Sequence, residues 1–431
     1  MEVLVDSPRR VRSIVAEPRG AHACVLFDDD GCELHCLLAK VPPNSLRSIT
    51  AAVFVPPPPP AQSTPPATVV LCQGGRQPRS LLLAHAPAHP RSGFVLDSRL
   101  LLDKAESDDG TILTASDGRV CLCDAQGGVQ LFAIDVSRVQ GDGRGSTVSL
   151  RPMLRCAIGR ACFSALLAST HFLVGVAGGV QVCPLRRSGG RGAPKLEWGE
   201  VDGDDDGERD DDGDGDGDGD GDSGTGSRAE ERPPCGATLC ELRGPEAAPI
   251  SALWLVSQRR RAARALALDE SGCLVLLQVG GGAPRLLRVA LPFEPEPTLG
   301  CIAAGRLYML DGSSALHVLP LSPLRADDDD DDTNERAAAE AASLEGDRPE
   351  QPEQPAGGAQ DAGATSEARK TRATGLWRAE GPPALRATLT TLLPAKVHAL
   401  AVLPAATAGA PPVALFAEPD GLRMLLLAGG A

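Results

Sequence analysis

One short hydrophobic pattern recurs along the chain. Residues 265–279, ALALDESGCLVLLQV, set two apolar runs on either side of Asp269-Glu270-Ser271-Gly272. The runs are too short for a stable helix and are bounded by turn formers, which predicts a β-hairpin. Gly272 supplies the positive φ that a tight hairpin turn demands. Similar pieces stand at 25–38 (VLFDDDGCELHCLL), 69–84 (VVLCQGGRQPRSLLLA), 112–124 (ILTASDGRVCLCD), 172–185 (FLVGVAGGVQVCPL), 307–319 (LYMLDGSSALHVL) and 414–427 (ALFAEPDGLRMLLL).

The turn glycines of these pieces are Gly31, Gly75, Gly118, Gly178, Gly272, Gly312 and Gly421. Gly31 and Gly75 are 44 residues apart, Gly75 and Gly118 are 43 apart, and Gly272 and Gly312 are 40 apart. A four-stranded propeller blade repeats every ~40–45 residues. The intervals of 94 and 109 residues contain polar insertions. Gly127-Gly128 forms a further turn that the series of seven does not absorb. The fold class expected is all-β: a divergent β-propeller of about seven blades with long disordered acidic insertions. Residues 1–186 form its first part and 187–235 a disordered acidic insertion. Residues 236–325 form its second part, 326–375 an acidic and Pro-rich linker, and 376–431 the last strands. A Pro-rich loop, PPPPPAQSTPP, interrupts the first part at 56–66. The ending LLLAGGA reads as a strand leaving for further sequence.

Composition fits one large β domain. The chain has 431 residues, 42% of them hydrophobic, enough for a substantial core. The WD and GH dipeptides of the best-known propeller repeat are absent. Trp198, Trp254 and Trp377 are followed by Gly, Leu and Arg. The net charge of −15 is concentrated in two places. Residues 202–222 hold 12 Asp and residues 327–332 six more, which exceeds the whole deficit. The remainder is close to neutral, so bulk electrostatics selects no partner class. The acidic runs have no apolar side chains to bury and repel themselves, which predicts disorder.

Candidate chemistry is sparse. DGDGDGDGDGD resembles part of an EF-hand loop, yet starting at Asp212, Asp214 or Asp216 puts Ser223, Thr225 or Ser227 where the bidentate Glu belongs. A solvated acidic linker is the expected reading. The thirteen cysteines contain no CxxC pair. The nearest motifs are Cys32-x3-Cys36 around His35, Cys121-x-Cys123 and Cys235-x4-Cys240. Most lie in apolar strand patterns, which predicts packed reduced thiols, with a zinc site as the alternative. No signal peptide is visible. Residues 161–185 are uncharged and long enough to span a membrane, but their Ser, Gly, His and Gln interruptions favour two core strands. No HExxH, GxSxG or Walker motif occurs. His85 and His89 have helical spacing, but Pro87 and Pro90 oppose a helix. Arg259, Arg260, Arg261 and Arg264 form a basic cluster, read as an exposed loop, with nucleic acid or a partner as the alternative. No aromatic residues interleave it for base stacking. The expectation is no catalytic, cofactor-binding or metal-binding residue, and no enzyme.

One resemblance adds to this reading. Residues 249–322 run PISALWLVSQ…ALALDESGCLVLLQVGGGAPRLLRVALP…CIAAGRLYMLDGSSALHVLPLS, and 392–427, after an acidic linker, run LLPAKVHALAVLP…PPVALFAEPDGLRMLLL. This order of pieces resembles the N-terminal propeller region of the Fanconi anaemia core complex-associated family of one-hundred-kilodalton proteins. The resemblance implies a noncatalytic nuclear scaffold of a ubiquitin-ligase complex acting in DNA interstrand crosslink repair. Its implied partners are the group B and group L core-complex subunits, the latter carrying the RING chemistry. DNA would be reached through the complex, and no membrane is expected. The competing expectation is a propeller subunit of a trafficking or coat-like complex.

Overall fold

The structure, a computed structural model, describes residues 2–5, 9–37, 42–56, 67–74, 79–86, 94–102, 110–138, 146–188, 195–198, 238–242, 248–259, 262–280, 283–293, 297–324, 383–393, 396–405, 411–419 and 421–427. They form a seven-bladed β-propeller. The first strand, β1 (Glu2–Val5), belongs to the last blade. Blade 1 is β2 (Val11–Ala16), β3 (His22–Phe27), β4 (Cys32–Cys36) and β5 (Asn44–Leu46). Blade 2 is β6 (Ile49–Val55), β7 (Thr68–Gln73), β8 (Ser80–His85) and β9 (Val95–Leu101). Blade 3 is β10 (Ile112–Ser116), β11 (Arg119–Cys123), β12 (Gly128–Arg138) and β13 (Ser146–Ala157). Blade 4 is β14 (Ser164–Leu167), β15 (His171–Val176), β16 (Gly179–Ser188) and two short collinear outer strands, β17 (Lys195–Trp198) and β18 (Thr238–Glu241). Blade 5 is β19 (Ile250–Gln258), β20 (Ala263–Asp269), β21 (Leu274–Val279) and β22 (Arg285–Arg288). Blade 6 is β23 (Pro297–Ala303), β24 (Arg306–Asp311), β25 (Ala315–Pro320) and β26 (Leu389–Leu392). Blade 7 is β27 (Ala399–Leu403), β28 (Val413–Glu418) and β29 (Gly421–Leu426), with β1 outermost. All these strand pairs are antiparallel; Val3 pairs Arg423 and Glu2 pairs Met424 to complete blade 7.

The middle strands read as unbroken apolar runs because both their faces are covered. β3 is HACVLF and β20 is ARALALD, and every residue of the two is buried except His22 and Arg264, which are half-buried. Alternate side chains of a strand point to opposite faces. In β3, Val25 and Phe27 join the seam with blade 7, while Cys24 and Leu26 join the seam with blade 2. Seven apolar clusters result, one between each pair of neighbouring blades, so the ring has no uncovered sheet face at its core. Each fully buried Leu, Val or Phe contributes roughly 1.5–3 kcal/mol relative to exposure. Leu, Val, Ala and Cys fill these seams, so few aromatic side chains are needed. Gly175 marks a close approach between blades: a Cβ there would lie 2.2 Å from Ser164 Oγ and 2.8 Å from Ile250 of blade 5.

The repeat carries two devices that spacing alone does not reveal. Four innermost strands bulge at their second residue: Arg12, Thr50, Ser251 and Thr298. A bulge leaves that residue out of the ladder. Three of them donate a hydroxyl back to the second strand, Thr50 to Cys72 O, Ser251 to Leu268 O (3.1 Å) and Thr298 to Leu310 O (3.3 Å). Arg12 instead reaches out of its blade, donating to Thr50 O at 2.8 Å and Ile49 O at 3.2 Å in blade 2. It also pairs with Asp30, while Arg9 takes Asp29 and Arg10 takes Asp28, so RRVR and DDD interleave at one rim of blade 1. Arg9 lies over the Phe27 ring, 3.9 Å from its centroid.

Several readings change in detail. Gly118 lies between the first and second strands of blade 3, whereas Gly31, Gly178, Gly272 and Gly312 lie between the second and third strands of theirs. In blade 3 that place belongs to Gly127-Gly128, the turn left outside the series of seven, and the blades are in phase once it is substituted. Asp117 and Gly118 both have positive φ, 48° and 70°, as a two-residue hairpin of that hand requires. β16 runs on to Ser188 and β17 follows, inside the stretch 187–235 read as insertion. The acidic runs 202–222 and 327–332 lie outside the described residues. β29 pairs with β28 and β1 along its two edges, and 428–431, the end of LLLAGGA, lie outside the described residues. Residues 161–185 hold β14, β15 and most of β16, the two core strands expected and a third beside them. No described helix is long and apolar enough to cross a membrane.

Exposed ion pairs are worth ~0–1 kcal/mol, whereas charged hydrogen bonds to partly buried carbonyls are worth more. Arg12→Ala is therefore expected to lower unfolding free energy by about 1–2 kcal/mol, against about 0.5 kcal/mol or less for Arg10→Ala. Equilibrium denaturation of both variants checks this; equal losses would remove Arg12 as a tie between blades.

Candidate interaction surface

The two faces of the disc are unequal. Connections between second and third strands, and between consecutive blades, emerge on one face. There they are as short as Ala177-Gly178 and Arg47-Ser48. On the opposite face first strands join second strands and third join fourth; the joining residues 57–66, 87–93 and 325–382 lie outside the described residues. The segment with the first acidic run interrupts the outer strand of blade 4, between Trp198 and Thr238.

On the first of these faces carboxylates fasten the turns, buried at Asp311 and Asp269 and half-buried at Asp124. Asp311 ends β24. Its Oδ1 accepts from the backbone N–H of Ser313 and Ala315 (2.8 and 2.9 Å) and from Ser313 Oγ (2.7 Å). Asp269 and Asp124 repeat the bracket: Asp269 takes Cys273 N at 2.8 Å and Asp124 takes Gly128 N at 2.7 Å. The local sequences, DGSSA, DESGC and DAQGG, share only the Asp and its spacing to the accepted N–H groups. Glu418 holds the corresponding place in blade 7 and pairs with Arg423.

Asp311 also meets a histidine. Its Oδ2 lies 2.9 Å from His317 Nε2, and His317 Nδ1 lies 3.2 Å from Thr390 Oγ1. Carboxylate, imidazole and hydroxyl are the components of a hydrolytic triad. Here they act as a staple: Asp311 is committed to the turn, and the imidazole is buried and stacked on Phe293, with centroids 3.8 Å apart. Burial works to raise the Asp311 pKa, but hydrogen bonds from His317, Ser313 and Ala315 outweigh it and hold it at about 2. A carboxyl depressed in the fold stabilises above its unfolded pKa, and that contribution is lost as pH falls through the folded value. Asp311→Asn is therefore expected to cost about 2 kcal/mol at neutral pH. The gap to the parent protein narrows as pH drops below about 4. Urea titrations between pH 3 and 7 measure it, and a gap independent of pH would remove the charge from the account.

The cysteines lie where thiols pack. Eight are buried, and the twelve described are free of disulfides. Cys24 Sγ lies 3.3 Å from Cys32 Sγ. The hydrogen bond to Cys32, and then burial, pushes the Cys24 thiol up, while burial pushes Cys156, Cys183 and Cys301 up to about 12. Such thiols stay protonated and are weak metal ligands. Cys32 and Cys36 are separated by ~13 Å along one strand, too far to share an ion, and His35 turns to Glu33 at 3.2 Å. Among the described residues no group of three His, Cys, Asp or Glu could hold a metal. The basic cluster is divided: Arg264 is on β20 and donates to Leu324 O at 2.7 Å, and Arg259 opens the connection. Arg260, Arg261 and His89 lie outside the described residues.

Among the described residues, two clefts at the rim stand out. One, about 840 Å³, lies between the outer strand β18 of blade 4 and β21–β22 of blade 5, with Leu239, Leu286, Glu241 and Arg288 among its walls. The other, about 420 Å³, lies between blades 1 and 2, lined by Leu46, Arg47, Leu82, Leu96 and Arg99. Sequence reasoning missed both, since each is made by strands of two blades.

No known family matches the sequence, and no curated protein matches it. Solved structures do. Sqt1 of Saccharomyces cerevisiae aligns over 98% of this chain and 97% of its own, with 9% identity and a TM-score of 0.50. Raptor of Chaetomium thermophilum aligns over 98% of this chain and 29% of its own, with 7% identity and a TM-score of 0.49. At 9% identity the likeness to Sqt1 is one of fold.

Native thiol titration tests the packing. Ellman's reagent at neutral pH is expected to leave the eight buried cysteines unreacted, while all thirteen react in denaturant. Rapid modification of Cys24 or Cys123 in the native protein would contradict the buried seams.

Proposed function

We infer that the chain is a noncatalytic scaffold that presents a rigid ring to protein partners. The observation that carries this is the fate of its polar groups. Asp311, His317 and Thr390 fasten blade 6, Asp124 and Asp269 fasten turns, and Glu17 is enclosed by His22 and Arg19 at 2.7 Å each. What stays accessible is rim and connection, the surface suited to binding broad partners.

The finer reading is a subunit of the Fanconi anaemia core complex in the nucleus, joined to the group B and group L subunits in interstrand crosslink repair. Its support is the order of pieces in 249–322 and 392–427. Those pieces supply β19–β25 and β27–β29, three consecutive blades, with the acidic break inside blade 6. In this reading the RING chemistry stays with the group L partner, and DNA is reached through the assembly.

Affinity purification of the tagged chain from nuclear and cytosolic extracts, with partners identified by mass spectrometry, is the test. Recovery of group B and group L subunits from the nuclear fraction is expected. Recovery of membrane-coat proteins in their place would overturn the repair assignment and favour the trafficking alternative.

A further inference from the structure

The bulges of the innermost strands mark one equivalent place in their blades. The bulged residue comes just before the one paired with the penultimate residue of the second strand: Arg12 before Ser13, Thr50 before Ala51, Ser251 before Ala252 and Thr298 before Leu299. In blade 4 the penultimate residue of β15 is Gly175, its partner is Ser164, and the residue in that place is Phe163. Elsewhere the place carries a hydroxyl turned back to a carbonyl, or Arg12 reaching into blade 2. A phenyl ring can do neither. The carbonyl of Gly175 takes the backbone N–H of Phe163 instead, at 2.9 Å, and the ring is left 41% exposed. The other seven phenylalanines are buried or half-buried.

The ring stands on a rigid support. Residues 158–163 connect blade 3 to blade 4 on the face of the short turns. Ile158 and Cys162 are buried, whereas Gly159, Arg160, Ala161 and Phe163 are exposed. Ile158 N donates to Gly127 O at 2.8 Å and Cys162 N to Ala125 O at 3.2 Å, while Ser164 Oγ, next in the chain, donates to Ile250 O at 2.7 Å. Blades 3 and 5 therefore hold the connection from either side. A Cβ at Gly127 would collide with Arg160 O, so the glycine admits the connection this close. The guanidinium of Arg160 is in no hydrogen bond or ion pair among the described residues. Single exposed apolar side chains are ordinary on a protein surface. Here an aromatic ring and an uncommitted guanidinium, the groups that interface centres favour, stand three positions apart on a support fixed before any partner arrives. We propose that Phe163 and Arg160 anchor a partner protein whose surface offers an apolar pocket with a carboxylate at its rim. The ring enters the pocket and the guanidinium pairs with the carboxylate. A nucleic-acid strand offers rings and charge as well, but its backbone needs a groove with several cations, and this face exposes Glu270, Asp28 and Asp29. A second copy is the poorer occupant, since a two-fold contact about Phe163 sets Arg160 of one copy close to that of the other.

This inference rests on the scaffold reading and names one anchor within it. The probe is a phage-displayed library of random disulfide-closed peptides, selected on the full chain. Enriched peptides are expected to combine large apolar residues with Asp or Glu. By fluorescence anisotropy, a synthetic peptide of that kind should lose about tenfold or more in affinity on Phe163→Ser and likewise on Arg160→Glu. Selection on Arg160→Glu should turn to Lys- or Arg-containing peptides. Both positions are exposed, so neither change reaches the core. No enrichment, or binding indifferent to both changes, overturns the proposal. A single-stranded oligonucleotide that binds the chain and is released by both changes, with no peptide enriched, would overturn it in favour of nucleic acid. A dimer in sedimentation that Phe163→Ser abolishes would overturn it in favour of a second copy. Failure here with group B and group L recovery intact removes this anchor and leaves the scaffold; failure of that recovery with peptide binding intact does the reverse.

Discussion

Burial of both faces of every blade is the constraint on which the rest of this structure depends. A four-stranded sheet whose middle strands are apolar on both sides cannot stand alone in water, nor can a stack with two ends. A closed ring gives each sheet two neighbours. β1 therefore returns from the start of the chain to finish the blade made by β27–β29. Val11 and Phe27 of blade 1 then pack against Leu403 and Leu415 of blade 7 as any other neighbours do.

Closure governs where polar groups go. A turn at the end of two covered strands has backbone N–H groups that water reaches poorly, and Asp124, Asp269 and Asp311 satisfy them. The innermost strands crowd around the ring axis, and their bulges at Thr50, Ser251 and Thr298 turn a hydroxyl back onto a carbonyl of the same blade. Such groups are fully engaged in holding the fold. The repeat is imperfect at the short β5 and at the divided outer strand of blade 4.

The fold was readable to an unusual depth because a strand covered on both faces writes its burial into consecutive residues. Runs such as ALALD, set off by Asp, Ser and Gly, identified the second and third strands of most blades. The first and fourth strands were harder. They are half exposed, vary from three residues in β5 to twelve in β13, and mix polar with apolar positions. Blade 3 also misled the count, since Gly118 and Gly127-Gly128 are both turn sequences and only pairing decides which joins the second strand to the third. Of the surface, the sequence showed arginines and leucines without showing that Arg47 and Arg99, 52 positions apart, face one cleft.

By itself, then, the sequence determined what depends on neighbours along the chain: hairpins, their turns, the approximate number of repeats, and thiols set in apolar strands. The tertiary structure decided what depends on neighbours across the ring. It made Arg12 a tie between blades, took Arg264 out of a loop and into contact with Leu324, joined Asp311 to Thr390 through His317, and left Leu96 and Leu101 uncovered. The division has one physical cause. Hydrophobic periodicity is a local property of the backbone, whereas closure sets side chains from distant segments within hydrogen-bonding reach.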